Sequence, residues 1–322
     1  MIVALAGGVG GAKLAHGLYR ILKPNELTVV VNTADDFTLY DLRICPDGDT
    51  VYYTLAGLAN PATGWGVAGD TFETLAALRR YGEDTWFQLG DRDFATHLLR
   101  TQWLRSGWRL TSVWQAFTNA LQVRARILPM SDDRVATVVR TPAGELAFQD
   151  YFVRRHHADE VLGVQFAGIE EAQITDEVRK AITSAESIVF CPSNPIVSIG
   201  PILAVPGMRE LIHAARTAGV PVVAVSPIVG GRALRGPADR MLSGLGHEAS
   251  SFAVAELYRD LLSGIVIDHE DQEEAARIET LGMHALVTRT IMENDADREQ
   301  LAADVLNFIA KLRFAGGVVV GE

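Results

Sequence analysis

The chain has 322 residues, 48% hydrophobic and 21% charged, enough for one large α/β domain or two smaller ones with an ordinary core. Its net charge of −11 has no dense Lys/Arg cluster to offset it, which argues against a protein that wraps nucleic acid. No apolar run approaches the roughly 20 residues needed to span a bilayer, and MIVALAGG reads as a first strand rather than a signal peptide, so a cytoplasmic protein without a membrane partner is expected.

Continuous apolar runs bounded by turn residues mark buried parallel strands. In chain order they are IVALA (2–6), LTVVV (27–31), SIVFC (187–191), PVVAV (221–225), GIVID (264–268) and ALVT (285–288). Helical periodicity fills the gaps, as in KLAHGLYRIL, MRELIHAARTA, FAVAELYRDLL and REQLAADVLNFIAKL. The middle differs: it is mainly helical from about 50 to 107, and then RARILPM, RVATVVRT and ELAFQDYFVRR read as two or three antiparallel strands. The expected fold is α/β, a Rossmann-like doubly wound and mainly parallel sheet with an inserted helical plus small antiparallel-sheet subdomain. The core would comprise 1–50 and 175–322, and the insertion 51–174.

The first loop, AGGVGGAK (6–13), follows a strand and opens a helix. Glycines there let backbone N–H groups approach a phosphate, and the helix N-terminus adds favourable dipole charge. Lys13 sits between Ala12 and Leu14, so this is not a Walker A loop, and the third glycine of the dinucleotide fingerprint is replaced by Lys13. Next comes NTADDFTLYDLRICPDGDT (32–50), with five aspartates beside that anion-binding loop. Asp35 and Asp36 could touch substrate, bind metal or end the strand. Asp41 could pair with Arg43, and Asp47 and Asp49 could cap the following helix.

In LGDRDFATHLLR (89–100), Asp91 reads as a helix cap and Asp93–His97 as an i,i+4 pair. Arg92 between two carboxylates could be held in one orientation for a ligand. Two later loops, 191–207 and 226–240, sit at the carboxyl ends of predicted strands. There Ser193, Asn194 and Ser198 could hydrogen-bond a nucleotide, and Arg232 and Arg235 could neutralise a diphosphate. Cys45 and Cys191 form no CxxC pair, and no HExxH or GxSxG appears, so zinc and covalent-nucleophile chemistry are not expected.

Together, AGGVGGAKL, VVNTADDF, CPDGDTVYYTL, LGDRDFATHLLR, ILPMSDDRV, PSNPIVSIGPILAVPGM, SPIVGG, GPADRML and FAVAELYRD, in this order, resemble the 2-phospho-L-lactate transferase (CofD-like) family. The similarity runs from Ile2 to about Lys311 and leaves the tail FAGGVVVGE (314–322) outside it. The resemblance implies a Mg²⁺-dependent step in the biosynthesis of the deazaflavin coenzyme F420, carried out by a homodimer. A phospholactyl or phosphoenolpyruvyl group would pass from a guanosine diphosphate donor to the ribityl hydroxyl of the deazaflavin Fo, releasing GMP. By carry-over, Asp49 and Arg92 would contact Fo and take part in catalysis. Gly8, Gly10, Gly11, Lys13, Ser193, Asn194, Gly230 and Arg232 would serve the nucleotide, and Asp49 and Asp36 the metal. Asp49→Ala is expected to abolish transfer with the fold intact. A non-enzymatic nucleotide-sugar-binding regulator of the same superfamily is the rival reading; such proteins lack the LGDRD–ATH element. A nicotinamide-dependent dehydrogenase is a third reading, weakened by the broken third glycine.

Overall fold

The structure is a computed structural model that describes residues 1–316. Ile2–Ala6 (β1) leads through the glycine loop into Gly8–Ile21 (α1) and Leu27–Val31 (β2), where the apolar runs place them. A hairpin of Phe37–Leu39 (β3) and Leu42–Ile44 (β4) precedes four helices, Pro46–Leu55 (α2), Glu73–Arg80 (α3), Asp91–Arg105 (α4) and Leu110–Ala120 (α5). Arg126–Pro129 (β5) is followed by Ala136–Thr141 (β6), Gly144–Ala147 (β7) and Gly163–Ala167 (β8). The second half alternates helix and strand: Asp176–Thr183 (α6), Ser187–Phe190 (β9), Gly200–Ala204 (α7), Met208–Thr217 (α8) and Val222–Val225 (β10). A small hairpin, Ile228–Val229 (β11) and Arg232–Ala233 (β12), leads to Ala238–Gly244 (α9) and Ser251–Leu257 (α10). Gly264–Ile267 (β13), Ala275–Glu279 (α11), His284–Val287 (β14) and Asp295–Gly316 (α12) complete the described chain. The tail 314–322 starts in the last turn of α12, and 317–322 lie outside the described residues.

Seven strands form one parallel sheet in the order β14-β13-β10-β9-β1-β2-β5. This is the doubly wound α/β architecture expected. The chain runs outward from β1 to β2 and β5, then returns to β9 on the other side of β1 and continues outward. Winding therefore reverses between β1 and β9, the place where open parallel sheets bind ligands beyond their carboxyl ends. The glycine loop after β1 and the loop 191–194 after β9 meet there.

One strand departs from the sequence reading. RARILPM, expected among the antiparallel strands, contributes β5, which pairs parallel with β2 from Thr28 opposite Arg126 to Val31 opposite Pro129. The main sheet thus takes a strand from within 51–174. Four residues ending in proline carry no period of their own, and proline is tolerated because β5 is an edge strand. β6, β7 and β8 do form an antiparallel sheet.

Alternate residues of each strand feed two apolar layers, as a sheet covered on both faces requires. Val3 and Leu5 join one layer with Ile182, Ile202 and Ile212, and Ala4 and Ala6 join the other with Leu14, Trp114 and Val305. Among the described residues no single helix is long and apolar enough to cross a membrane. Helix α12 lies directly on α1, where a Cβ on Gly17 would stand 2.1 Å from the Arg298 carbonyl oxygen. Gly17→Ala should force the helices apart and lower stability by about 1–3 kcal/mol. A melting temperature equal to that of the parent protein would show the contact to be slack.

Candidate active site

The glycine loop is shaped by its neighbours as much as by space for a ligand. A Cβ on Gly10 would stand 2.3 Å from the Pro192 carbonyl oxygen, and one on Gly11 2.4 Å from Ser193 Oγ. Ser193 Oγ accepts the Gly7 N–H at 3.1 Å and donates to the Gly7 carbonyl at 2.9 Å, stitching the two loops together. Gly10 and Gly11 therefore let the β1 and β9 loops close on each other, and the N-terminus of α1 opens at that junction.

Above the junction is a cavity of about 970 Å³. One wall is acidic. Asp35, Asp47, Asp49 and Asp93 all line it and are all buried. Asn32, at the end of β2, bridges two of them: its Nδ2 donates to Asp35 Oδ2 at 3.1 Å and to Asp47 Oδ2 at 3.0 Å. Asp47 Oδ1 accepts the Gly8 N–H at 2.8 Å, and Asp35 Oδ1 accepts the Thr137 hydroxyl at 2.8 Å. Burial pushes the Asp47 carboxyl up to about 6 against the hydrogen bonds from Asn32 and Gly8. Burial first, and then the charge of Asp47, hold Asp35 well above the usual carboxylate range.

Three cations line the cavity as well, with Glu293 beside them in the lining. Lys13 from α1, Arg235 from the loop after β12 and Arg298 from α12 converge on the cavity. Lys13 Nζ donates to the Met292 carbonyl at 2.5 Å, and Arg235 Nη1 donates to the Thr63 carbonyl. Burial lowers the Lys13 pKa, and the charges of Arg235 and Arg298 lower it further. Phe87, Phe148, Phe152 and Trp65 add aromatic surface to the cavity, with Phe148 and Phe152 stacked at 5.5 Å.

The sequence candidates divide. Gly8, Gly10, Lys13, Asp49, Ser193, Asn194, Ser198 and Arg235 line the cavity. Asn194 spends its Oδ1 capping the turn Pro195–Ile199. Gly11 is packed beneath Ser193, the Gly230 N–H is engaged by Asp271 at 2.9 Å, and Arg232 is exposed on β12. Asp36 is buried off the cavity in an ion pair with Arg43 at 3.0 Å.

Arg92 is exposed and does not line the cavity either. Its flanking carboxylate serves a different device. Asp91 accepts the Glu73 and Thr74 N–H groups at 3.0 and 2.9 Å, capping α3, while Asp70 accepts the Arg92 and Asp93 N–H groups at 2.9 and 3.2 Å, capping α4. GDRD is thus half of a reciprocal cap between two helices.

Asn32, Tyr52, Tyr53, Arg100 and Arg298 were not singled out from sequence. The signal for Arg100 is a polar stripe at helical spacing: Asp93, His97, Arg100 and Thr101 are the buried residues of α4, whereas Leu98 and Leu99 face outward. Asp49, Asp93 and His97 bring ligand atoms within 4.8 Å of one another. Asp49 itself is already held by the Arg100 guanidinium.

A doubly wound parallel sheet with a glycine loop at its switch point, opening on a cavity lined by carboxylates and cations, defines an α/β protein of the kind that binds ligands at that edge. Residues 2–310 match the family model described as 2-phospho-L-lactate transferase CofD, and the chain belongs to that family of transferases. It is 43% identical to a phosphoenolpyruvate transferase of Kitasatospora aureofaciens, over 97% of this chain and 98% of that one. It is 40% identical to a 2-phospho-L-lactate transferase of Methanosarcina barkeri, over 94% and 96% of the two chains. A solved structure of a UPF0052-family protein from Bacillus halodurans shares the fold, with a TM-score of 0.65 at 16% identity over 95% of this chain and 98% of that one.

Proposed function

We propose that the chain transfers a phospholactyl or phosphoenolpyruvyl group from a guanosine diphosphate donor to the terminal ribityl hydroxyl of the deazaflavin Fo. An O–P bond forms at the distal phosphorus, the P–O bond to the GMP phosphate breaks, and GMP leaves. The hydroxyl proton passes to a carboxylate of the acidic wall. The observation that carries this reading is one cavity, at the switch point of the sheet, lined by the glycine loop, three cations and four buried aspartates. Phosphoryl transfer asks a protein to position reactants and stabilise spreading negative charge rather than to do covalent chemistry. Lys13, Arg235 and Arg298 offer the diphosphate cationic partners, the α1 N-terminus adds its dipole, and the aromatic side chains offer a flat ring a stacking face.

The cation expected from the family is Mg²⁺, and the donor set suits it. Of the four buried aspartates in 32–50, Asp36 is offset by Arg43 and Asp49 by Arg100, while Asp35 and Asp47 have only neutral hydrogen-bond donors among the described residues. Two oxygen ligands whose charges lack a partner are what a magnesium site commonly uses beside substrate phosphates. Asp35 and Asp47, rather than Asp36 and Asp49, would hold the ion, which when bound neutralises developing charge on the phosphates.

Purified protein with Mg²⁺, Fo and either donor should release GMP, and product mass should identify the transferred group. EDTA should stop turnover and added Mg²⁺ restore it. Measurable Fo binding without GMP release from either donor would sink the proposed reaction.

A further inference from the structure

Arg100 has no exposed surface, yet it is not a stray buried charge. Its Nη2 donates to Asp49 Oδ1, and its Nη1 donates to Asp49 Oδ2 at 3.2 Å. Nη2 also meets the Tyr52 hydroxyl at 2.7 Å, and that hydroxyl donates to Asp49 Oδ1 at 2.5 Å. Nη1 further reaches the Arg43 carbonyl at 3.1 Å and His97 Nδ1 at 3.3 Å. His97 Nδ1 also stands 3.6 Å from Asp49 Oδ2, and the ring's other nitrogen is Nε2. That nitrogen faces Asp93 Oδ2 at 3.3 Å, and Asp93 Oδ1 accepts the Tyr53 hydroxyl at 2.7 Å.

The count of lone pairs then defines what Asp49 can still do. A carboxylate offers about four acceptor sites. Arg100 and Tyr52 fill both on Oδ1, and Arg100 fills one on Oδ2. What remains is one site on Oδ2, in a residue that lines the cavity and whose charge is already offset. Such a group is poorly suited to bind a divalent cation and well suited to accept one hydrogen bond in a fixed direction. Bidentate guanidinium–carboxylate pairing supplies that direction, because the planar fork fixes both oxygens at once.

Resting on the transferase reading above, we infer that Arg100 and Tyr52 are positioning residues for the acceptor: they clamp Asp49 so that its single free lone pair receives a hydroxyl or ring N–H of the deazaflavin. The donor is held at the glycine loop and the three cations, so the clamp should act on one substrate and not the other.

The test uses Tyr52→Phe and Arg100→Lys in the full chain, with melting curves to verify folding. Fo affinity is read from its own fluorescence without donor, and donor KM from GMP release. Tyr52→Phe, which keeps the ring and loses one donor, should weaken Fo binding about fivefold with donor KM within about twofold. Arg100→Lys, which keeps the charge but loses the fork, should weaken Fo binding at least about 20-fold. Fo affinity of Tyr52→Phe equal to the parent's, or Fo and donor weakened alike, overturns the clamp. A parent that binds Fo but transfers nothing overturns the reaction and leaves the clamp to the binding data; a parent that binds no Fo overturns both.

Discussion

Asp49→Ala should cost the protein about 3–5 kcal/mol of stability as well as its activity, because it strands a buried guanidinium. From sequence, this substitution was expected to spare the fold. The structure changes that expectation: Arg100 is fully buried, and Asp49 is its ion-pair partner. With alanine in place, Arg100 keeps the Tyr52 hydroxyl, the Arg43 carbonyl, His97 Nδ1 and the Phe117 ring, none of which carries a compensating negative charge. Turnover should fall by at least about 100-fold, as for loss of a hydrogen bond to a charged group in a desolvated site. Asp49→Leu combined with Arg100→Met separates the two effects, since removing both charges of a buried pair is far less costly than removing one. The double variant should regain most of the lost stability and none of the activity. A double variant no more stable than Asp49→Ala alone would show that the pair's geometry, rather than the stranded charge, sets the cost.

The same pair shows where sequence reading reached its limit. The strands at 2–6, 27–31, 187–191, 221–225 and 264–268 were legible because a parallel strand buried on both faces is a continuous apolar run between turns. β5 was not, because a short edge strand ending in proline has neither length nor period. The glycine loop was legible as a turn that admits an anion, but half of its reason for glycine lies in Pro192 and Ser193, nearly two hundred residues away. LGDRD suggested a guanidinium held for a ligand; what the sequence hid is that its backbone N–H groups at Arg92 and Asp93 are capped by Asp70, across a loop with no pattern of its own. The five aspartates of 32–50 were visible as a group, but their division was not. Whether each carboxylate has an arginine beside it depends on Arg43 in the hairpin and on Arg100 in a helix that turns its polar stripe inward. Arg298 reaches the cavity from α12, packed against α1 through a glycine, and no motif marks it.

The aspartates without a cation give the second large prediction: Asp47→Asn should stabilise the protein while removing its activity. Burial raises the Asp47 carboxyl from an ordinary 3.8 to about 6. A carboxyl with a raised folded pKa binds its proton more tightly in the native state. Its contribution is therefore complete below about pH 4 and is lost as pH rises toward 6. A shift of that size corresponds to an upper bound of roughly 3 kcal/mol at neutral pH. Asparagine keeps an oxygen for the Gly8 N–H and carries no charge; its amide nitrogen then faces Asn32 Nδ2, which gives up that bond and keeps Asp35 Oδ2 and the Val197 carbonyl as acceptors. It also relieves Asp35, whose own carboxyl is raised first by burial and then by the charge of Asp47. In metal-free buffer at pH 7.5 the variant should be more stable than the parent by about 1–3 kcal/mol, and the fall in stability between pH 4 and 6 should flatten. Adding Mg²⁺ should raise the melting temperature of the parent, by mass action on the folded state, and leave that of Asp47→Asn unmoved. Transfer should be lost in the variant at any Mg²⁺ concentration. A variant less stable than the parent in metal-free buffer, or one that still gains from Mg²⁺, would mean that the Asp35–Asp47 pair is not the place where this protein keeps uncompensated charge for its ligand.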